Sequence, residues 1–600
     1  MRKHKVIGFS KILLVIAGVI AVLASVFAYP LGLDNNAVIG PKRRLLIALG
    51  IVLVFTPLLL SALSALASKW KLAEKWAVFR GKYSQTRLAI WLGRPIRPGG
   101  KRSARWWAAA GGLVVFLAVL WLLTAGTLTT WTPYSNYFDR QADGFLSGQL
   151  SLPEEPAPEL AQLEDVYDWH QREGINYLWD VSYYQGRFYL YWGPLPALVS
   201  SAVKLVHAAR VEDQTLLLIF FTGMGVSLAA IFSLLRERFF PATPAWTVFA
   251  FTLTAALAAP VYYLANRPGV YETAIASAQC FLLLGLYAIL RALAGSKRPG
   301  GWLLLAGLSL GASLASRFSY APALLFACFV TGLELLRSPR YKTRRLSALL
   351  AFALPLAAIT AGLLLFNYAR FGGFFETGMR YQLTGDALPE DFRLIYSAGY
   401  ILPNAYSDLV RPLQTTPGVF PFVSTPYVLD TMWPNFIHRP ATFYSGEPVA
   451  GIFAMVPFLW ALLLLPLWGA ARFIRWVNED SAAASGPSAA GLPRWAALLL
   501  GGTLLVQCVF SFSFVMTTMR YLADFTPLLV IYTAVLVWRV YDRLSSPALR
   551  RSLLTAAVLL CAASLLLSFF VNMQGGAERF LINNPALYNR IALFFEGFLP

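Results

Sequence analysis

Residues 193–209, GPLPALVSSAVKLVHAA, decide how the chain is threaded. The segment is apolar but short, contains Pro194 and Pro196, and carries Lys204 and His207. A helix needs about 20 apolar residues to cross the hydrocarbon of a bilayer. If this one crossed, every later loop would change sides. Left outside, it sends five basic clusters to the cytoplasmic face: Arg236/Arg238, Arg291/Lys297/Arg298, Arg337 to Arg345, Arg472/Arg475 and Arg539/Arg543/Arg550/Arg551. An excess of Lys and Arg marks cytoplasmic loops. The segment is therefore expected to be a helix lying in the outer interface.

The rest of the chain is built for lipid. Of its 600 residues 57% are hydrophobic and 13% charged, with a mean hydropathy of +0.58. A soluble domain carries about 25% charged residues, so the fold class expected is an all-α polytopic membrane protein. Thirteen spans are predicted. They are Lys11–Tyr29, Arg44–Ala67, Trp107–Thr129, Thr215–Leu235, Thr243–Ala265, Thr273–Leu293, Gly301–Ser316, Phe318–Leu336, Leu346–Tyr368, Val449–Ala470, Ala496–Met516, Leu522–Val540 and Leu553–Asn572. The pair around Arg317 reads either as two spans or as one broken hairpin. The net charge of +20 lies in short clusters between apolar runs, which is a topology signal and not a nucleic-acid footprint. The N-terminus, MRKHKVIGFSK, leads into an uncleaved first helix and is placed in the cytoplasm of a multi-pass protein of the cell (inner or plasma) membrane. Lys42-Arg43-Arg44 falls outside in this scheme, an exception to the charge rule. All four cysteines sit in apolar runs and read as small core residues.

Residues 1–105 read as an accessory helix pair followed by a basic segment. Ser68–Arg105 has eleven Lys/Arg against one acid, interleaved with tryptophans, as expected of an amphipathic stretch on an anionic leaflet. Residues 106–600 form the core, with a first outer loop over 130–214 and a second over 369–448. A flexible cytoplasmic linker, Ser481–Gly491, interrupts the last third.

The first outer loop holds twelve of the thirty acids between Tyr134 and Gln214. Asp139 and Asp143 stand four apart, so a helix over Tyr137–Leu146 puts both on one face at the membrane surface. A carboxylate there could take a proton from an attacking hydroxyl, although Asp is common at any helix N-terminus. Further on, WDVSYYQGRFYLYW (179–192) reads as a hairpin turning at Gln185-Gly186. Its aromatics, Tyr183, Tyr184 and Trp192 among them, could stack on sugar rings. An interfacial aromatic belt explains them equally well, but it does not explain Asp180 among them. Arg317 and Arg520, with Arg380 in the second loop, stand near outer membrane ends, where a phosphate is a natural partner for guanidinium. For any one of them alone, snorkelling accounts for the position. The acid spacing is not D-x-D, and His170, His207 and His438 show no ligand spacing, so neither a divalent metal nor another cofactor is indicated. No Gly-rich phosphate loop is present.

With these residues the sequence resembles the C-type (GT-C) integral membrane glycosyltransferases, which include protein O-mannosyltransferases and aminoarabinose transferases. The resemblance is carried by YFDRQADGFLSGQL, WDVSYYQGRFYLYWGPLPAL, NYARFGGFFETGMRYQLTG and MRYLADFTPLL, and covers about Trp106 to the end. It implies a cell-envelope transferase that moves a hexosyl or pentosyl unit from a polyprenyl-phosphate donor to a lipid, glycan or protein acceptor on the outer face. It also implies a first-loop acid as base, a role that falls on Asp139. Family patterns place that acid further upstream of the loop glycine than Asp139 stands from Gly148, which keeps Asp143 and Asp180 as alternatives. The implied partners are the polyprenyl-linked donor and membrane lipids, with no nucleic acid. Two rival classes are a flippase or transporter, and a polymerase or ligase of lipid-linked glycans. The first wants charges deep in the spans. The second does not need the first-loop carboxylate.

Overall fold

The computed structural model describes residues 98–206, 210–385, 392–426, 434, 437, 445–464, 491–574 and 579–597, with positions 21, 22, 24, 25, 43, 46, 47, 49 and 50. Apart from those positions, the expected spans Lys11–Tyr29 and Arg44–Ala67 lie outside the described residues. So do the basic stretch up to residue 97, the linker at 481–490, His207 and His438.

The chain is an all-helical, multi-pass membrane protein. Eight described helices are long and apolar enough to cross a bilayer. Helix α1 (Lys101–Leu123) is about 35 Å long at 1.5 Å per residue, more than the hydrocarbon thickness. Helices α4 (Asp213–Phe239) and α7 (Val270–Leu293) are central; the most apolar stretch of α7 is 83% buried inside the protein. Helix α10 (Arg345–Phe371) is peripheral, with one face packed on the helix Pro299–Ser316 and 6% of its apolar stretch fully buried. The others are α8 (Pro299–Ser316), the span Phe318–Arg337 containing α9 (Ala321–Arg337), α11 (Arg494–Phe512) and the C-terminal Pro547–Met573.

Thirteen was the expectation, and the shortfall has separate causes. Two spans lie outside the described residues, and Val449–Ala470 is described only to residue 464. The expected span Thr243–Ala265 divides into α5 (Thr247–Leu257) and α6 (Val261–Asn266), because Pro260 has no amide hydrogen for the helix ladder. Polar groups at this break are met by the C-terminal helix. Ala259 N donates to Ser568 Oγ at 2.6 Å, and Asn266 Nδ2 donates to the Asn572 carbonyl at 2.8 Å. Inside a membrane such groups must be satisfied by protein. Helix Thr526–Arg543 is largely buried, but its last turns carry Arg539, Asp542 and Arg543, which excludes it from the apolar set.

The described part of the segment 193–209, residues 193–206, behaves as its length dictates. The helix, α3, covers Leu195–Val206, about 18 Å, too short to span. It packs against α2, Tyr137–Leu146, at the ends of α4, α7 and α8. Around Arg317 the chain forms two helices. Arg317 itself is extended (φ −154°, ψ 118°), and one 3₁₀ turn, Phe318–Tyr320, follows before α9.

The described parts of the loops 130–214 and 369–448 form one cap. The first folds into a hairpin, β1 (Ser182–Tyr184) on β2 (Arg187–Tyr189), turning at Gln185-Gly186. Both turn residues have positive φ (49° and 71°), as a two-residue hairpin with the right twist requires. The second loop then adds to β1. Asp180 N donates to the Leu383 carbonyl and Leu383 N to the Val181 carbonyl, each at 2.9 Å, and Ser182 Oγ donates to the Gly378 carbonyl at 2.8 Å. A parallel pair, β3 (Ser445–Gly446) with β4 (Met516–Thr517), closes the far side. Loops joined in this way share one face of the membrane. Single cysteines at the exposed positions Glu155 and Arg380 should therefore react alike with a membrane-impermeant maleimide on intact cells. Labelling of one with protection of the other would contradict the shared cap.

Candidate active site

Beneath the cap lies a cavity of about 670 Å³, walled by Asp180, Tyr191, Trp192, Arg317, Glu447 and Arg520 among others. It stands where the loops meet one end of α7, α8, α9 and α10. Apolar side chains such as Ile275, Leu314, Leu325 and Leu363 line it beside the charged ones.

Asp180 enters from the first loop. It has φ 57°, in the left-handed region, which a residue bearing a Cβ occupies at a cost of about 1–2 kcal/mol. The bond from its amide to Leu383 holds it there. Its carboxylate is buried, and Tyr191 Oη donates to Oδ2 at 3.3 Å. Burial pushes the Asp180 pKa up from 3.8 to about 7, against the opposing pull of the Tyr191 hydrogen bond and the Arg520 charge. Burial, and then the neighbouring Asp180 charge, raises the Tyr191 phenol as well, so Tyr191 stays a donor. A carboxylate poised near neutrality can accept a proton without being permanently protonated.

Facing it are two arginines from separate elements. Arg520 sits on a short helix, Met519–Leu522, directly after β4. Its Nη2 is 2.6 Å from Glu447 Oε1, and its guanidinium lies over the Tyr271 ring at 4.4 Å. Its Nε has no hydrogen-bond partner among the described residues. Glu447 follows β3, so the β3–β4 pair sets its position, and Thr518 Oγ1 donates to its Oε2 at 2.8 Å. Arg317 Nη1 reaches Asp524 Oδ1 at 2.6 Å and Oδ2 at 2.7 Å, while Tyr320 Oη donates to Oδ1 at 2.9 Å. Arg370 also lines the cavity, but its guanidinium donates to the Leu190 carbonyl and Asn367 Oδ1 and stacks on Phe366 at 3.9 Å.

The structure thus brings together Asp180, Arg317, Arg520 and Trp192, and places the other expected residues elsewhere. Asp139 and Asp143 do share a face of α2, where both meet one cation. Lys204 Nζ of α3 lies 2.8 Å from Asp139 Oδ1 and 2.6 Å from Asp143 Oδ1. Asp139 Oδ1 also accepts from Val211 N at 2.9 Å. Neither acid lines the cavity. Arg380 pairs with Glu376 at 2.6 Å on the surface. Tyr184 packs on Tyr381 with ring centroids 4.6 Å apart, and Tyr183 is buried against Phe188. Trp192 forms a wall of the cavity, stacked on Tyr191 at 3.9 Å and edge-on to Tyr271 at 5.1 Å. Sequence reasoning missed Glu447, Asp524 and Tyr191 as partners. Asp524 did carry a local signal, since it follows Arg520 by four residues in MRYLADF. Glu447 carried none. Among the described residues no group of three or more His, Cys, Asp or Glu side chains could hold a metal ion.

No protein-family model and no curated protein matches the chain. Solved structures with some likeness include ArnT from Cupriavidus metallidurans bound to undecaprenyl phosphate, at 13% identity and TM-score 0.38, covering 81% of this chain and 79% of that one. Another is the oligosaccharyltransferase AglB from Archaeoglobus fulgidus in complex with an inhibitory peptide and a dolichol-phosphate. It has 14% identity and TM-score 0.39, covering 78% of this chain. This chain spans 56% of the AglB length. At TM-scores below 0.5 these likenesses assign neither family nor chemistry, and the reading of function rests on the residues of the cavity.

The raised Asp180 pKa has a consequence for stability. Between 3.8 and about 7 the folded state binds more protons at Asp180 than the unfolded state, so stability falls as pH rises through that window. Above about pH 7 the penalty of the buried charge is complete. Asp180→Asn should accordingly raise the melting temperature at pH 8 and change it little near pH 4. Thermal melts of both proteins in one detergent would show this, and parallel pH profiles would rule it out.

Proposed function

We propose that the protein is a membrane glycosyltransferase that moves a sugar from a polyprenyl-phosphate donor to an acceptor hydroxyl at the extracytoplasmic face. The observation that carries the reading is the pairing, in one cavity at the membrane boundary, of a near-neutral carboxylate with two arginines. Nucleotide sugars are confined to the cytoplasm, so an outward-facing transferase needs a lipid-linked donor whose head group lies at the bilayer surface.

Asp180 takes the base role, in place of the Asp139 implied by the family resemblance. Lys204 and the Val211 amide already occupy the Asp139 carboxylate, and Asp139 does not line the cavity. In the step proposed, Asp180 removes the proton of the acceptor hydroxyl, and the oxygen attacks the anomeric carbon. The bond from that carbon to the phosphate oxygen breaks, and both its electrons leave with the carrier phosphate. Charge grows on the phosphate as it passes from diester to monoester. Arg520 and Arg317 are placed to stabilise it. Trp192 and Tyr271 offer aromatic faces to the sugar ring. On this reading residues 106–600 form the catalytic unit, and residues 1–105 are accessory to it.

Asp180→Asn should lower turnover by about 10²-fold or more while donor binding persists, and Asp139→Asn should keep most of the activity. Wild-type turnover should rise as pH increases through about 7, the Asp180 value, and that rising limb should vanish in Asp180→Asn. Arg520→Ala should weaken binding of the lipid phosphate, since a charge-assisted contact is lost. An active Asp180→Asn beside an inactive Asp139→Asn, in a purified assay with polyprenyl-phosphate sugars, would return the base role to Asp139.

A further inference from the structure

A third arginine lines the cavity, and the chemistry above leaves it idle. Arg370 stands in the last turn of α10 and is 5% exposed. Arg317 and Arg520 each meet a carboxylate, Asp524 and Glu447, but among the described residues no carboxylate is bonded to Arg370. Its hydrogen bonds go to the Leu190 carbonyl and to Asn367 Oδ1 at 2.9 Å, and its Nε has no partner among the described residues. The Phe366 and Phe371 rings lie 3.9 and 4.7 Å from its guanidinium. Glu376 acts on it only from a distance, its oxygens being bonded to Arg380 and the Gly378 amide. The negative end of α10 offsets part of the charge, yet a buried cation without a counter-ion remains costly.

A polar neighbour in the same cavity is idle too. Gln382 lines the cavity and is 8% exposed, and its side-chain amide has no hydrogen-bond partner among the described residues. Its backbone bridges to Ser182, and it precedes Leu383, which holds Asp180 through its carbonyl. Arg370 is tied to the same hairpin, since Leu190 follows β2 and precedes Tyr191, whose hydroxyl donates to Asp180. Arg317 and Arg520 instead share the Tyr521 ring, at 5.3 and 5.9 Å, and have no partner in common with Arg370. The pair over Tyr521 suits one phosphate. Arg370 and Gln382 belong with Asp180.

We propose that Arg370 and Gln382 form a second anion subsite, which takes a carboxylate carried by a sugar that reacts at Asp180. The proposal rests on the transferase reading and adds the class of sugar, an acidic one. Charge selects the carboxylate. One guanidinium balances its single negative charge, whereas a phosphate monoester carries about −1.5 to −2 at pH 7 and would leave an excess buried beside Phe366 and Phe371. The two carboxylate oxygens also match the two kinds of donor present, guanidinium N–H and amide N–H. A neutral sugar takes water from Arg370 and returns no counter-ion, so the subsite discriminates against it.

Carboxylates on the donor sugar and on an acceptor sugar present the same chemistry, so the test has two arms. In the donor arm the full-length protein in detergent is titrated with tritiated polyprenyl phosphate, polyprenyl-phosphate glucuronate and polyprenyl-phosphate glucose. In the acceptor arm, saturation-transfer NMR compares methyl glucuronide with methyl glucoside. The protein should prefer the uronate over the glucose form by about tenfold or more in one arm, the worth of a charge-assisted contact. The arm that shows it names the sugar. Arg370→Gln should remove the preference and still bind polyprenyl phosphate, which shows that the variant is folded. Gln382→Ala breaks no side-chain hydrogen bond among the described residues, and should reduce the preference by about threefold or more. It decides the matter if Arg370→Gln does not fold. Equal affinities in both arms, or a preference that survives these substitutions, overturn the subsite, and polyprenyl phosphate binding would then leave the transferase reading standing. If no polyprenyl ligand binds while the methyl glucuronide preference is present and falls in Gln382→Ala, the transferase reading fails and the subsite stands.

Discussion

Ionised groups at the edge of the hydrocarbon have to be paired, and the pairing holds this structure together. A lone charge there costs several kcal/mol. Each of the main pairs joins elements that are distant in sequence. Arg317 and Asp524 tie the α8–α9 junction to the segment after α11, Glu447 and Arg520 tie the second loop to the same segment, and Lys204 ties α3 to α2 through two carboxylates. Removing one member of such a pair strands the other, which is the costly event. The loops are therefore fixed to the membrane block by charge, and to each other by the backbone bonds at Asp180 and Leu383. Asp180 is the contrast. Its carboxylate is buried beside a tyrosine hydroxyl, with Arg520 acting only at a distance.

Much of the fold was legible in the sequence because the bilayer writes it in composition. Span existence, the short helix at Leu195–Val206, the acidic helix at Tyr137–Leu146 and the turn at Gln185-Gly186 all follow from local length, periodicity or turn chemistry. The break at Pro260 was visible as a residue but not as an outcome, since it depends on Ser568 and Asn572 more than 300 positions away.

The site was legible as a set of residue types and less so as an arrangement. Arg317 and Arg520, expected near membrane ends, converge with Asp180 and Trp192, expected in the aromatic hairpin of the first loop. What sequence could not resolve was the choice among three aspartates. Asp139 and Asp180 look alike in one dimension, as acids of the first loop. They differ in whether a lysine 65 residues away folds back onto them. Lys204 does so for Asp139 because α2 and α3 pack together, and that packing is a tertiary fact.

The same pairing bears on how a phosphate would bind. Neither arginine is bare before a ligand arrives, since Glu447 covers one edge of Arg520 and Asp524 covers one edge of Arg317. Binding is then an exchange or sharing of partners, and the net gain is the difference between a phosphate contact and a carboxylate contact, smaller than the contact itself. The two carboxylates are not equivalent in this respect. Asp524 is almost fully buried and also accepts from Tyr320, so it cannot leave Arg317 without stranding a charge. Glu447 is partly exposed, lines the cavity, and has Thr518 and the more distant Arg267 to turn to. On the proposed reading Arg317 would be the fixed half of an anion site and Arg520, whose Nε has no partner among the described residues, the adjustable half. Under the proposed function such a site would hold a diester donor and still release the more highly charged monoester, with Glu447 available to pair again with Arg520.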